Sequence, residues 1–183
     1  MNWDDLTREI ITDARSVFSK LLEQHKDEHF YAFALYTDDD GFTVVPAANS
    51  IEKYDANMLH NNVTNIKSQI FRKWYSGSWA YEDCGDDEFN AICGKLSDAC
   101  MALPEDDDEA FHDFTEHVHS CMINALQILD NEGFWGAARK NIVLFVTISD
   151  SDEAEELENR SAQILNPPEI YEKFLKRYEV NSV

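Results

Sequence analysis

The sequence predicts an α+β fold, a small and largely antiparallel sheet of three or more strands packed by about five to six helices. Three observations lead to it. Apolar residues recur at helical spacing in several segments, a hairpin pattern occupies residues 29–46, and an apolar, β-branched segment, NIVLFVTIS, occupies residues 141–149. The 183 residues contain no repeat and no Gly/Ser/Pro linker, so we expect a single domain over residues 1–183.

The first predicted helix follows a capping region at residues 2–5 and has about twenty residues. Its apolar positions, separated by charges, are Leu6, Ile10, Ala14, Val17, Phe18, Leu21 and Leu22. Further helices are predicted over residues 50–74 (with a break at Asn61 and Asn62), 86–101, 104–130, 150–164 and 168–178.

The predicted strands begin with residues 30–36, followed by turn chemistry at residues 38–41 and a second strand at residues 42–45 that Pro46 stops. Alternation puts Ala32 and Ala34 on one face of the first strand, and Tyr31, Phe33 and Leu35 on the other. The segment near residues 141–148 is apolar at every position, which predicts a central strand with both faces buried.

Charge is the strongest compositional signal, because 36 acids against 15 bases give a net charge of −21. Between Trp74 and Ala138 there are 15 acids against the single base Lys95, a local balance of −14. Such a surface repels nucleic acid and anionic lipid, which are bound through clustered lysine and arginine. It attracts and steers a basic protein, although acidic solvation alone is an equally frequent reason for such a surface.

The expected compartment is the cytoplasm, because no export signal and no apolar stretch of membrane-spanning length occurs in the sequence. Cys84, Cys93, Cys100 and Cys121 match no paired-thiolate motif, so we expect reduced thiols. Cys93 and Cys100, seven positions apart, are expected on one apolar helix face.

No motif indicates catalysis, a cofactor or a metal ion, since G-x-S-x-G, glycine-rich phosphate loops and HEXXH are all absent. His112 with Glu116, and His117 with Cys121, are each four apart on a predicted helix. The two pairs point about 140° apart around its axis, so one helix cannot present all four to one ion. We therefore expect exposed histidines, including His119, on an acidic helix, and predict no catalytic or metal-binding residue.

The segment WYSGSWAYEDCGDDEF, residues 74–89, joins aromatic rings to acids. Trp79 and Tyr81, two positions apart, are predicted to face the same side of an extended segment and to form the wall of the core. The partner-binding residues that the sequence predicts are an aromatic anchor and two acidic groups, namely Trp74, Asp86, Asp87, Glu88, Glu105, Asp106, Asp107, Asp108 and Glu109. The last five also lie where the dipole of the following helix favours negative charge.

Four segments, HFYAFALYTDDDGFTVVPAANS, KWYSGSWAYE, IVLFVTISDSD and SAQILNP, follow one another over nearly the whole chain. In this combination the chain resembles a bacterial family known as domain of unknown function 4303. The family has no established activity, so the resemblance implies a bacterial, cytosolic α+β protein and carries over no catalytic residue. Members of such families resemble the proteins that are often found beside polymorphic or contact-dependent toxins.

The leading hypothesis is a non-enzymatic acidic protein-binding module, most concretely an immunity-type inhibitor that captures a basic toxin domain. One alternative is a hydrolase-like enzyme with a site of dispersed carboxylates. Another is a regulatory protein whose acidic surface serves solubility alone. We expect a basic protein partner, no nucleic-acid or membrane partner, and no cofactor.

Overall fold

Three strands form one mixed sheet in the computed structural model, which describes residues 1–149 and 151–179 without the Asp86 side chain. The strands are β1 (Phe30–Thr37), β2 (Val45–Ser50) and β3 (Val143–Ile148), in the order β2-β1-β3. The antiparallel pairing expected for most of the sheet holds between β1 and β2, whereas β1 and β3 are parallel. The predicted α+β class is confirmed.

Seven α-helices surround the sheet in the described residues, against the five to six expected. The segment before Trp74 forms two of them, since it is broken as predicted. They are α1 (Trp3–Gln24), α2 (Ile51–His60), α3 (Ile66–Trp74), α4 (Asp86–Met101), α5 (Asp108–Asn131), α6 (Ala154–Leu165) and α7 (Pro168–Leu175). Asn2 caps α1, since its side chain accepts from the backbone N–H groups of Asp4 and Asp5. The predicted start of α6 at Asp150 lies outside the described residues. None of the described helices combines the length and apolar character that a bilayer span needs.

The second strand lies later in the chain than predicted. It begins at Val45 and continues through Pro46, which pairs with Leu35. Pro46 is tolerated because β2 is an edge strand, where one side of the backbone needs no ladder hydrogen bond. Residues 42–44 instead complete the turn, in which the Asp38 carboxylate accepts hydrogen bonds from Phe42 N (2.8 Å) and Thr43 Oγ1 (2.9 Å).

The prediction that β3 is the central strand is wrong, because β1 occupies the centre. β3 is nevertheless buried at all six positions, as expected. Helix α6 lies along its free edge and supplies side chains in place of a neighbouring strand. Asn166 bonds both Leu144 N (2.9 Å) and Leu144 O (2.7 Å), and Ser161 bonds both Val146 N (2.9 Å) and Val146 O (3.2 Å). These bonds satisfy backbone groups that would otherwise be buried without partners.

The core has two parts, one on each face of the sheet. Phe33 and Leu35 belong to the larger part with residues of α1, α4 and α5. Ala32 and Ala34 belong to the smaller part, where they meet Phe145 and residues of the 74–79 segment and α7. Tyr31 was predicted beside Phe33 but lies on the alanine face, because the pairing register shifts between Phe30 and Ala32.

Candidate functional site

Acidic side chains gather at one end of the molecule, beyond the carboxyl ends of β1 and β3. Helix α4 ends there, and helices α1, α5 and α6 begin there with acids in their first turns. The turn after β1 meets α5 at this end, because Gly41 lies against Phe114, Thr115 and Val118. We name the region the acidic end and define it by residues 38–40, Asp98, residues 101–109 and the first turns of α1, α5 and α6.

Some carboxylates of the acidic end have structural roles. Asp107 caps α5 by accepting from Ala110 N at 3.0 Å. Asp38 holds the turn after β1. Asp108 and Glu109 lie in the first turn of α5, where the helix dipole stabilises negative charge.

Four carboxylates in the turn after β1 and in the segment between α4 and α5 have no such role, namely Asp39, Asp40, Glu105 and Asp106. All four are exposed. Within the part of the chain that the structure describes, no lysine or arginine forms a salt bridge with any of them. The sequence itself carries no lysine or arginine from residue 96 to residue 138. Met101 adds an apolar group to this surface, since the residue is 74% exposed.

A groove between α1 and α4 extends the acidic surface away from this end. It contains two adjoining cavities of about 490 and 460 Å³, which share Asp5, Glu9 and Lys95. Lys95 Nζ lies 2.6 Å from Glu9 Oε1, in a salt bridge between two partly exposed side chains. Burial, followed by the charges of Glu9 and Glu88, raises the pKa of Asp13 although Lys95 opposes the shift.

The structure brings only part of the predicted partner-binding set together. Glu105, Asp106, Asp107, Asp108 and Glu109 lie at the acidic end. Asp87 and Glu88 lie at the opposite end of α4, whose 16 residues make it about 24 Å long. Glu88 there pairs with Lys20 at 2.5 Å. Asp86 begins α4, and its side chain lies outside the described residues.

Trp74 lies apart from both acidic groups, on the other face of the sheet. Its ring makes edge contacts with Tyr31 (centroids 5.8 Å apart) and Phe174 (5.3 Å), in the smaller part of the core. Helix α4 packs into the larger part through Phe89 and Leu96. Trp74 and the acids of α4 therefore do not form one surface.

Trp79 and Tyr81 face opposite sides of the sheet, contrary to the prediction that they share a side. Trp79 is buried as predicted, with Nε1 donating to Lys73 O at 3.0 Å and its ring against Phe145. The Tyr81 ring packs on Phe30 in the larger part of the core. The period-two rule fails because this segment contains a 3-10 turn and a single bridge to Ala48 in place of a regular strand.

Two polar clusters within the fold were not singled out by the sequence analysis. In the first, Glu28 accepts from Ser50 Oγ (2.5 Å) and Tyr81 OH (2.8 Å), residues 22 and 53 positions away. Burial raises the pKa of Glu28, but these hydrogen bonds and Lys53 outweigh it and hold the pKa below its ordinary value. Glu28 is therefore a charged structural group joining three segments.

The second polar cluster is a buried ion pair behind the acidic end. Arg177 Nη2 lies 2.7 Å from Glu158 Oε2, and Thr147 Oγ1 donates to Glu158 Oε1 at 2.8 Å. Burial raises the pKa of Glu158, while Arg177 opposes the shift. No spacing in the sequence relates these residues, because the three come from β3, α6 and the turn that follows α7.

The histidine pairs on α5 have other partners. Nη1 and Nη2 of Arg160 donate to the Glu116 carboxylate, and Cys121 Sγ donates to Trp3 O. His119 is buried, contrary to the expectation of exposed histidines, and burial lowers its pKa. Residues 1–149 and 151–179 contain no group of three or more histidine, cysteine or acidic side chains arranged to hold a metal ion.

Comparison with known proteins identifies the family and nothing finer. No curated protein and no solved structure matches the chain. The profile of one family, described as Domain of unknown function (DUF4303), matches residues 11–167 of the 183. The chain therefore belongs to the DUF4303 family.

Proposed function

We propose that this protein is a non-enzymatic binding module whose acidic end captures a basic protein, most concretely as an immunity-type inhibitor of a toxin domain. One observation carries the proposal. Asp39, Asp40, Glu105 and Asp106 converge at one end, exposed, outside every salt bridge of the described residues and outside the helix caps and first turns.

Like charges that are crowded together repel one another and destabilise the compact state. Helix dipoles offset that repulsion for Asp108 and Glu109. Asp39, Asp40, Glu105 and Asp106 receive no such compensation, so a cationic partner is the simplest source of it.

A basic toxin domain fits this surface chemically. A nuclease holds phosphate with lysine and arginine, and carboxylates presented at the same spacing would occupy those cations. Exposed Met101 would supply an adaptable apolar contact within the charged surface. The long-range attraction would act mainly on the association rate.

A hydrolase with a dispersed carboxylate site is the second candidate, and one observation favours it. Asp13 has a raised pKa and lines a groove cavity of about 460 Å³ with Glu9. The binding module is preferred because both cavities of that groove lie open to solvent between two helices. If Asp13→Asn abolished a hydrolytic activity of the purified protein, the second candidate would replace the first.

The test starts from the gene immediately upstream. Where that gene encodes a protein with a basic C-terminal domain, the domain is co-expressed with this protein and growth is the readout. An acidic-end variant carries Asp39→Asn, Asp40→Asn, Glu105→Gln and Asp106→Asn. A matched control neutralises four exposed acids at the far end of the molecule, Glu23→Gln, Asp27→Asn, Glu169→Gln and Glu172→Gln.

We expect the wild type and the matched control to protect the cells and to co-purify with the basic domain, and the acidic-end variant to fail in both. Equal protection by the acidic-end variant would mean that the surface serves solubility alone.

A further inference from the structure

A cavity of about 310 Å³ lies beside Trp74, on the sheet face opposite α1 and α4. Its aromatic walls are Tyr31, Trp74 and Phe174. It opens beside the amino ends of β1 and β3, because Val143, the first residue of β3, also lines it. Its volume lies at the lower end of the range for small-molecule sites, and its walls combine aromatic and aliphatic side chains with polar ones.

The charge of this cavity is opposite to that of the protein. Among the described residues that line it, three are lysines, Lys73, Lys140 and Lys173, and none is acidic. In a chain with 36 acids and 15 bases, a local set of three bases and no acid is unexpected. None of the three forms a salt bridge with a carboxylate among the described residues.

Lys73 is the most constrained of the three. Its Nζ lies 5.7 Å from the centre of the Trp74 ring and 6.0 Å from those of Tyr31 and Tyr54. Burial lowers the pKa of Lys73, although Asp55 opposes the shift. The ammonium has lost part of its hydration without gaining a close anion, so a bound anion would be attracted strongly.

We propose that this cavity binds a small planar organic anion, with its ring against Trp74 and its phosphate or carboxylate held by Lys73, Lys140 and Lys173. Rings of this kind stack on aromatic side chains, and lysine holds phosphate or carboxylate as a point charge. The acidic end does not prevent binding, because it lies beyond the carboxyl ends of β1 and β3, at the far end of these strands from the cavity. At physiological ionic strength, charges are screened beyond about 8 Å.

The experiment titrates the purified full chain with two anions that carry a ring, adenosine monophosphate and indole-3-acetate. Adenosine supplies a ring without the anion, and inorganic phosphate supplies the anion without a ring. We expect at least one ring-bearing anion to bind with a Kd below about 1 mM, and adenosine and phosphate to bind at least about ten-fold more weakly.

Two variants separate the cavity from general electrostatics. Lys73→Met with Lys173→Met should weaken binding by at least about ten-fold. Lys26→Met with Lys67→Met removes the same charge from exposed positions outside the cavity and should leave Kd unchanged. If the first variant does not fold, Lys140→Met and Lys173→Met, which change exposed side chains only, replace it.

Two results would overturn the proposal. One is that neither ring-bearing anion binds below about 10 mM. The other is that the Lys73 and Lys173 changes and the control changes lower the affinity equally. Neither result bears on the acidic end, which the variants leave intact.

Discussion

The acidic end and the cavity beside Trp74, which we call the Trp74 cavity, lie beyond opposite ends of β1 and β3 and carry opposite charges. Helices α1, α5 and α6 begin at the acidic end with acids in their first turns. The three lysines of the cavity lie in the last turns of helical segments, where the dipole favours cations. Helix direction therefore accounts for much of the charge separation, and the groups it does not explain are the functional candidates.

The largest expected effect concerns the buried cation behind the acidic end. Arg177→Met would leave the Glu158 carboxylate buried without its partner, at a cost of about 3–5 kcal/mol in the free energy of unfolding. Adding Glu158→Gln should restore most of the loss, since the amide oxygen still accepts from Thr147. Urea unfolding at neutral pH measures both. A loss below about 1 kcal/mol for the single variant would show that the pair is not desolvated.

A smaller effect separates adjacent acids in the acidic end. Asp107→Ala should lower the free energy of unfolding by about 1 kcal/mol, because it removes the side-chain cap of α5. Asp106→Ala is the control, and its effect should stay within about 0.5 kcal/mol. Thermal or urea unfolding compares the two. Equal losses in the two variants would contradict the distinction between carboxylates with a structural role, such as Asp107, and those without one, such as Asp106.

The smallest effect is a dependence on pH. The hydrogen bond from Arg160 is the main cause that lowers the pKa of Glu116 to about 2. A depressed carboxyl pKa stabilises the fold above the unfolded value of about 4.3, and the contribution is lost as pH falls from there to about 2.

Glu116→Gln should therefore flatten the stability curve in this window, by less than about 1 kcal/mol because the pair is partly exposed. Urea midpoints from neutral pH down to the acid limit measure it. An unchanged curve in the variant would assign the acid sensitivity to other groups.

The sequence was sufficient for the elements whose signal is local. The spacing from Leu6 to Leu22 predicted α1, and the bounds of α4 were predicted as residues 86–101, because helical periodicity and capping are properties of one segment. The apolar run near residues 141–148 predicted burial of β3 correctly. It did not reveal that α6 lies along the free edge of β3 and bonds its backbone through Ser161 and Asn166.

The site was predicted less well because its geometry depends on tertiary placement. The sequence places Trp74 twelve positions from Asp86, but the sheet separates their helices. Asp39 and Asp40 are about 65 positions from Glu105, and packing of Gly41 on α5 brings the segments to the same end. The lysines of the Trp74 cavity come from three helical segments, and no spacing relates them.

The most direct test of the central claim is the rate constant for association of this protein with its basic partner domain, measured at about 50 and about 300 mM NaCl. We expect the rate constant of the wild type to fall roughly ten-fold as salt rises, and the acidic-end variant to associate at a slower, nearly salt-independent rate. A wild-type rate that is indifferent to salt, or a variant that associates as fast as the wild type, would contradict it.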